Sequence, residues 1–162
     1  MVSESIGSKG GNVNIISIQT LSTTTAIAEG SIISLNSSGN AIANATNADI
    51  KVIGVAVTGK PATTAAEQRY IGVQTNGIVT LYGWIDSSTT YTDDIVPGER
   101  VQVGQDSGTT YAGQVVVHAL TAAGTTSDFN TDFRKPIGIA LQALATTDTR
   151  TAIKVLLTLW GE

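Results

Sequence analysis

The sequence predicts an all-β protein, a small β-barrel or sandwich, on three observations. Apolar runs of roughly five to seven residues recur along the chain, bounded by clusters of Gly, Asn, Asp and Ser. Val, Ile and Thr dominate those runs, and a pleated, half-buried surface suits β-branched side chains better than a helix does. One run is also repeated: KVIGVAVTG, residues 51–59, returns as KPIGIALQA, with Gly54 matched by Gly138. A chain of 162 residues fits one domain, and a domain of that size buries about 70% of its unfolded surface, so a packed core needs no staple.

Residues 1–12, MVSESIGSKGGN, are rich in Gly and Ser and predict a flexible arm with too little apolar surface to offset its ordering entropy. The body, 13–162, opens with NVNIISIQTL, where Val13, Ile15, Ile18 and Leu21 follow a period near two that slips at Ile16. Then come SIISL before the turn NSSGN, and IKVIGVAV before TGKPA. Residues 62–69, ATTAAEQR, predict a helical turn or two behind Pro61. Asn76-Gly77, between YIGVQT and IVTLYGWI, predicts a type I′ hairpin, because that turn needs positive φ at both central residues. The polar loop DSSTTYTDD leads to ERVQV, QDSGT, YAGQVVVHAL, the long loop TAAGTTSDFNTDFRKP, IGIALQAL and TAIKVLLTLW.

The echo has four landmarks in one order. Glu29-Gly30 before SIISL matches Pro97-Gly98 before ERVQV, Ser38-Gly39 matches Ser107-Gly108, IGVAV matches IGIAL, and Ile71–Thr75 matches Ile153–Leu157. Two similar β-units in tandem, approximately 25–84 and 95–160, are the reading, with extra residues in the loop around Thr125 to Phe133. Gly54 and Gly138 sit mid-strand, where glycine marks a bulge, a bend or close approach of another backbone.

Composition narrows function by exclusion. Without cysteine there is no disulfide framework, zinc–thiolate site or thiol nucleophile. Thirteen acids against nine bases, net −4, argue against a sequence-independent grip on nucleic acid. No stretch approaches the roughly 18 apolar residues of a membrane span, and the opening residues lack a signal peptide's features, so the expectation is a soluble compartment and no membrane partner.

Catalytic motifs fare poorly. Gly54 to Lys60 satisfies the first seven positions of the phosphate-binding loop, but Pro61 supplies neither the hydroxyl nor the amide that the eighth requires. His118 is the sole histidine, so a multi-histidine metal site is excluded, and no Gly-x-Ser-x-Gly elbow accompanies it. Asp86, Asp93 and Asp94 share one polar loop of the kind that can hold calcium, but their spacing fits no EF-hand and the loop reads as solvated. No catalytic residue, metal or cofactor is assigned.

The ordered series EGSIISLNSSGNAIA, IGVAVTG, YIGVQTNGIV, PGERVQVGQDSGTTYA and KPIGIALQAL resembles the capsid decoration, or cement, proteins of tailed bacteriophages, of the small β-barrel type. The resemblance spans roughly residues 25 to 159 and rests on motif order; the second copy of the pattern departs from single-unit members. It implies a non-enzymatic virion protein, made in the host cytoplasm, that binds the outer surface of the expanded head, commonly as a homotrimer, and clamps neighbouring copies of the major capsid protein. On that implication the arm, with Ser3, Ser5, Gly7, Gly10, Gly11 and Asn12, is the expected capsid contact, since an extended segment can add a strand to an exposed sheet edge. A tail, fibre or baseplate component and a carbohydrate-binding sandwich are the alternatives; an exposed aromatic strip containing Trp84 or Tyr82 would mark the latter.

Overall fold

The computed structural model describes residues 13–43, 52–85, 93–104, 115–117 and 136–159. These residues form ten strands and no helix: β1 (Ile15–Gln19), β2 (Ile32–Leu35), β3 (Ala41–Ala43), β4 (Val52–Ala56), β5 (Tyr70–Gln74), β6 (Gly77–Gly83), β7 (Arg100–Val103), β8 (Val115–Val117), β9 (Pro136–Ala140) and β10 (Thr151–Leu157). No helix of the described residues is long and apolar enough to cross a membrane.

The strands pair in two sets of five. The first has the order β1-β5-β4-β2-β3, and the second runs β10-β6-β8-β7-β9 and returns to β10. Strand by strand, β1 to β5 correspond to β6 to β10. Ile33 lies opposite Gly54 as Val101 lies opposite Gly138, and both ladders slip at the next residue. Leu35 meets Ala41 as Val103 meets Val115. Ala56 meets Val73 as Ala140 meets Val155, and Ile16 meets Val73 as Val79 meets Val155. The end strands then touch at a single parallel bridge, Thr20 with Ala41 in one set and Gly83 with Val115 in the other. Each unit is therefore a five-stranded sheet curled until its ends meet at one bridge rather than along a ladder.

The turns repeat too. Ser31 N–H donates to Ala28 C=O and Glu99 N–H to Val96 C=O, both at 3.2 Å. Gly30 and Gly98, at φ 79° and 96°, supply the positive φ that the third residue of a type II turn requires. Their amides reach Ala56 and Ala140 at 2.8 Å, tying each turn to β4 or β9. In the β2–β3 hairpin, Asn36 Oδ1 accepts from the amides of Ser38 (3.0 Å) and Asn40 (2.9 Å), which closes the NSSGN turn.

Two sequence expectations fail. Asn76-Gly77 is no hairpin: β5 pairs with β1 and β4, while β6 pairs with β10 and β8. Gly77 has φ 83° but Asn76 is not at positive φ, so the pair is the link between units, and Asn76 Oδ1 accepts the Asn14 amide at 2.7 Å. Residues 62–69 form no helix but a bend at Thr64 and Ala65, because Thr63 N–H bonds Thr24 C=O (3.1 Å) and Glu67 bridges Thr23, which commits backbone groups to the neighbouring segment. The extra residues of the second unit and the arm lie outside the described residues.

Two buried clusters result among the described residues. The smaller one, inside the first unit, comprises Ile27, Ile33, Ala41, Ala56, Ile71 and Val73. The larger is the second unit's core, including Leu81, Ile95, Val101, Val115, Ile153 and Val155, and it extends to Ile32 and Val55 of the first unit. β2 is thus buried on both faces: Ile33 points into its own unit and Ile32 into the cluster shared with the next.

Candidate interaction surfaces

The repeated glycines are explained by crowding. A Cβ on Gly54 would lie 2.1 Å from the carbonyl oxygen of Gln74, and one on Gly138 would lie 2.5 Å from that of Leu156. Each glycine lets β4 or β9 press against the strand beside it, which answers the choice among bulge, bend and close approach: the approach is there, next to a register shift. Gly77 serves the link between units. Ser3, Ser5, Gly7, Gly10, Gly11 and Asn12 lie outside the described residues, as do Asp86 and His118.

Asp93 and Asp94 are exposed, and no group of three or more potential metal ligands occurs among the described residues. Lys60, the lysine of the incomplete phosphate-loop pattern, is turned inward. It is 1% exposed, its Nζ donates to the carbonyl oxygen of Thr23 and lies 3.4 Å from Thr23 Oγ1, and its backbone forms a two-bond bridge to Ile27. That bridge corresponds to Ile95 with Leu144 in the second unit, so Lys60 fills the space of a core leucine. A phosphate could not reach it.

Two surfaces emerge that sequence reasoning missed. The first is the free side of β1. Thr75 N–H donates to Asn14 C=O (2.9 Å) and Thr20 N–H to Arg69 C=O (2.7 Å), so even-numbered residues bond toward β5. By antiparallel alternation the backbone groups of Ile15 and Ser17 face the opposite side, where β1 has no paired strand among the described residues. The side chains also depart from the expected alternation: Ile18 packs against the first unit's core and Thr20 is buried, while Val13, Ile15 and Ile16 stand 48%, 57% and 41% exposed. Apolar side chains on both faces of β1 blurred the alternation.

The second surface is a groove of about 200 Å³ in the first unit, lined by Leu21, Thr23, Thr25, Ile27, Ala41 and Ile42, beside the bridge that closes the unit. Its wall is mainly apolar, with two threonine hydroxyls. Tyr82 is half exposed, but the Arg150 guanidinium sits 4.6 Å above its ring centre and occupies a face on which a sugar would stack. Trp84 is only partly exposed. No protein-family model, characterised protein or solved structure matches the chain.

Proposed function

We propose that this chain is a structural virion protein of a tailed bacteriophage that binds the outer surface of the expanded head, clamps neighbouring subunits of the major capsid protein and catalyses no reaction. The observation that carries the reading is the motif series itself, whose two occurrences lie on corresponding strands: SIISL with IGVAV on β2 and β4, RVQV with IGIAL on β7 and β9. A duplicated module that offers a sheet edge suits a clamp, because its work is to hold geometry across a junction. A ligand that binds only the expanded shell stabilises that state by mass action, and several linked contacts raise avidity.

In this reading the arm grips the capsid. It runs into β1, whose free edge is the natural continuation of an added strand. The test is co-sedimentation of the full chain, and of a chain lacking residues 1–12, with expanded heads and unexpanded procapsids of the phage that encodes it. Binding to expanded heads alone, lost on removing the arm, is the expected result. Undiminished binding by the shortened chain would refute the arm's role. Absence of binding to either shell, with intact self-assembly, would move the assignment to a tail, fibre or baseplate component.

A further inference from the structure

We infer that the outer face of β1 and β5, around Tyr70, is a binding subsite for a neutral hexopyranose saccharide. The inference is independent of the capsid reading.

The internal repeat singles out this ring. Tyr82 lies opposite Ala152 in the second unit, and the equivalent pair of the first unit is Gln19 opposite Tyr70. The neighbouring contact repeats as well: Arg150 stands over the Tyr82 ring, and Gln68, at the matching position, accepts a hydrogen bond from Gln19 Nε2 at 3.2 Å. The two units have filled one site differently. In the second, a guanidinium covers the aromatic ring. In the first, the ring stands on the adjacent strand and its neighbours are a pair of uncharged amides. Tyr70 is 69% exposed, more than any other large apolar side chain among the described residues.

What surrounds the ring sets the chemistry of the ligand. After their mutual bond, Gln19 keeps a carbonyl oxygen and one N–H, and Gln68 keeps both of its N–H groups. Two residues along β5, Gly72 has no side chain and lies opposite Ser17, so the sheet surface next to the ring is low. Thr58 Oγ1 borders that floor and accepts the Gly72 amide at 2.7 Å, which leaves its own hydrogen to donate. Arg69 and Glu67, the charged residues beside Tyr70 and Gln68, are paired with each other, Nε to Oε1 at 2.5 Å.

The patch therefore joins an exposed ring to donors and acceptors set side by side, with its charges compensated. A neutral pyranose has the matching surface: C–H groups on its faces, to lie on the ring, and hydroxyls round its rim that each donate and accept. An anionic sugar would call for a cation to pair with its carboxylate. An extended peptide is read chiefly through a backbone edge, not through amide side chains on a sheet face.

The experiment is saturation-transfer difference NMR of the full chain with cellohexaose, maltohexaose, mannohexaose and chitohexaose, repeated on Tyr70→Ala, Tyr70→Phe, Gln68→Ala and Tyr82→Ala. Saturation is expected to reach the C–H protons of at least one of the four sugars. Affinity for that sugar should fall about tenfold in Tyr70→Ala and less in Gln68→Ala, and hold in Tyr70→Phe and Tyr82→Ala. Tyr70 lies on the surface, and a melting curve matching wild type would show an intact fold; Gln68→Ala carries the test if Tyr70→Ala unfolds. Absence of transfer to all four sugars would overturn the inference, as would binding undiminished in Tyr70→Ala or lost in Tyr82→Ala. Tighter binding of a polygalacturonate oligomer or of a proline decapeptide than of any neutral sugar would overturn the ligand class.

Discussion

Replacing Gly138 by alanine tests the repeat at its tightest point. The new Cβ would lie 2.5 Å from the Leu156 carbonyl oxygen and 2.6 Å from Val155 Cγ1. A relaxed carbon–oxygen contact is about 3.3 Å or longer, so β9 must retreat from β10 by nearly an ångström. The two strands share three residue pairs, Val155 with Ala140, Leu156 with Ile139 and Leu157 with Gly138, so the retreat falls on the whole ladder. Overpacking costs about 1–3 kcal/mol, and one weakened ladder bond adds about 1 kcal/mol. At about 2–4 °C per kcal/mol for a chain of this size, the melting temperature should fall by roughly 5–15 °C. Gly54→Ala should do at least as much, since its Cβ would meet the Gln74 carbonyl oxygen at 2.1 Å. Gly98→Ala is the control: nothing lies within 4 Å of its Cβ, and only the positive φ of 96° is strained, a cost of about 1–2 kcal/mol. Thermal unfolding followed by far-ultraviolet circular dichroism reads all three. Gly138→Ala melting within about 2 °C of wild type, or no lower than Gly98→Ala, would refute the crowding argument.

Further expectations concern Lys60, Asn36 and Tyr82. Lys60→Met keeps an unbranched chain in the buried slot and should change stability in urea by about 1 kcal/mol or less, in either direction. Lys60→Leu should cost about 1–3 kcal/mol by overpacking against Thr20 unless Thr20→Gly accompanies it, a coupling that a double-mutant cycle measures. Asn36→Ala removes the acceptor for two turn amides and should destabilise by about 1–2 kcal/mol in the same assay. Arg150→Ala should cost about 0.5–1 kcal/mol through the lost contact with the Tyr82 ring and raise that ring's accessibility to a fluorescence quencher.

The strands and many of their turns were legible because each is encoded locally. Alternation in β6 and β10 follows the buried face without a break, and the glycines of IGVAV and IGIAL stand where a neighbouring backbone leaves no room. Legibility ended where a signal depended on partners distant in the chain. Asn76-Gly77 has the chemistry of a hairpin, yet both flanking strands are engaged elsewhere, and a two-residue signal carries no information about that competition. The correspondence of β1 with β6 was hidden because IISIQ and GIVTLYG share no landmark residue. The echo was therefore placed from residue 25 to 84, whereas the strand pairings put β6 with the second set.

Lys60 and Leu144 show how two copies of one plan settle into different interiors. In the second unit Leu144 branches at Cγ, and its Cδ2 would lie 2.8 Å from any Cβ at position 83, so Gly83 is the residue that admits it. In the first unit position 83 corresponds to Thr20, which is fully buried and whose Oγ1 accepts the Arg69 amide at 3.0 Å. By the strand correspondence a β-branched threonine thus stands where glycine admits Leu144, and an unbranched lysine stands where the leucine does. The amino group is then carried onward to the Thr23 carbonyl oxygen, a backbone acceptor in the adjoining loop. Glycine with leucine and threonine with lysine are thus paired solutions to one packing problem. The correspondence predicts that the two positions are coupled through shape, which the Lys60→Leu and Thr20→Gly double-mutant cycle measures. It also explains why the lysine is a structural residue in spite of the Gly-Lys pattern around it: exposing Nζ to a phosphate would empty the core position that its methylene chain fills.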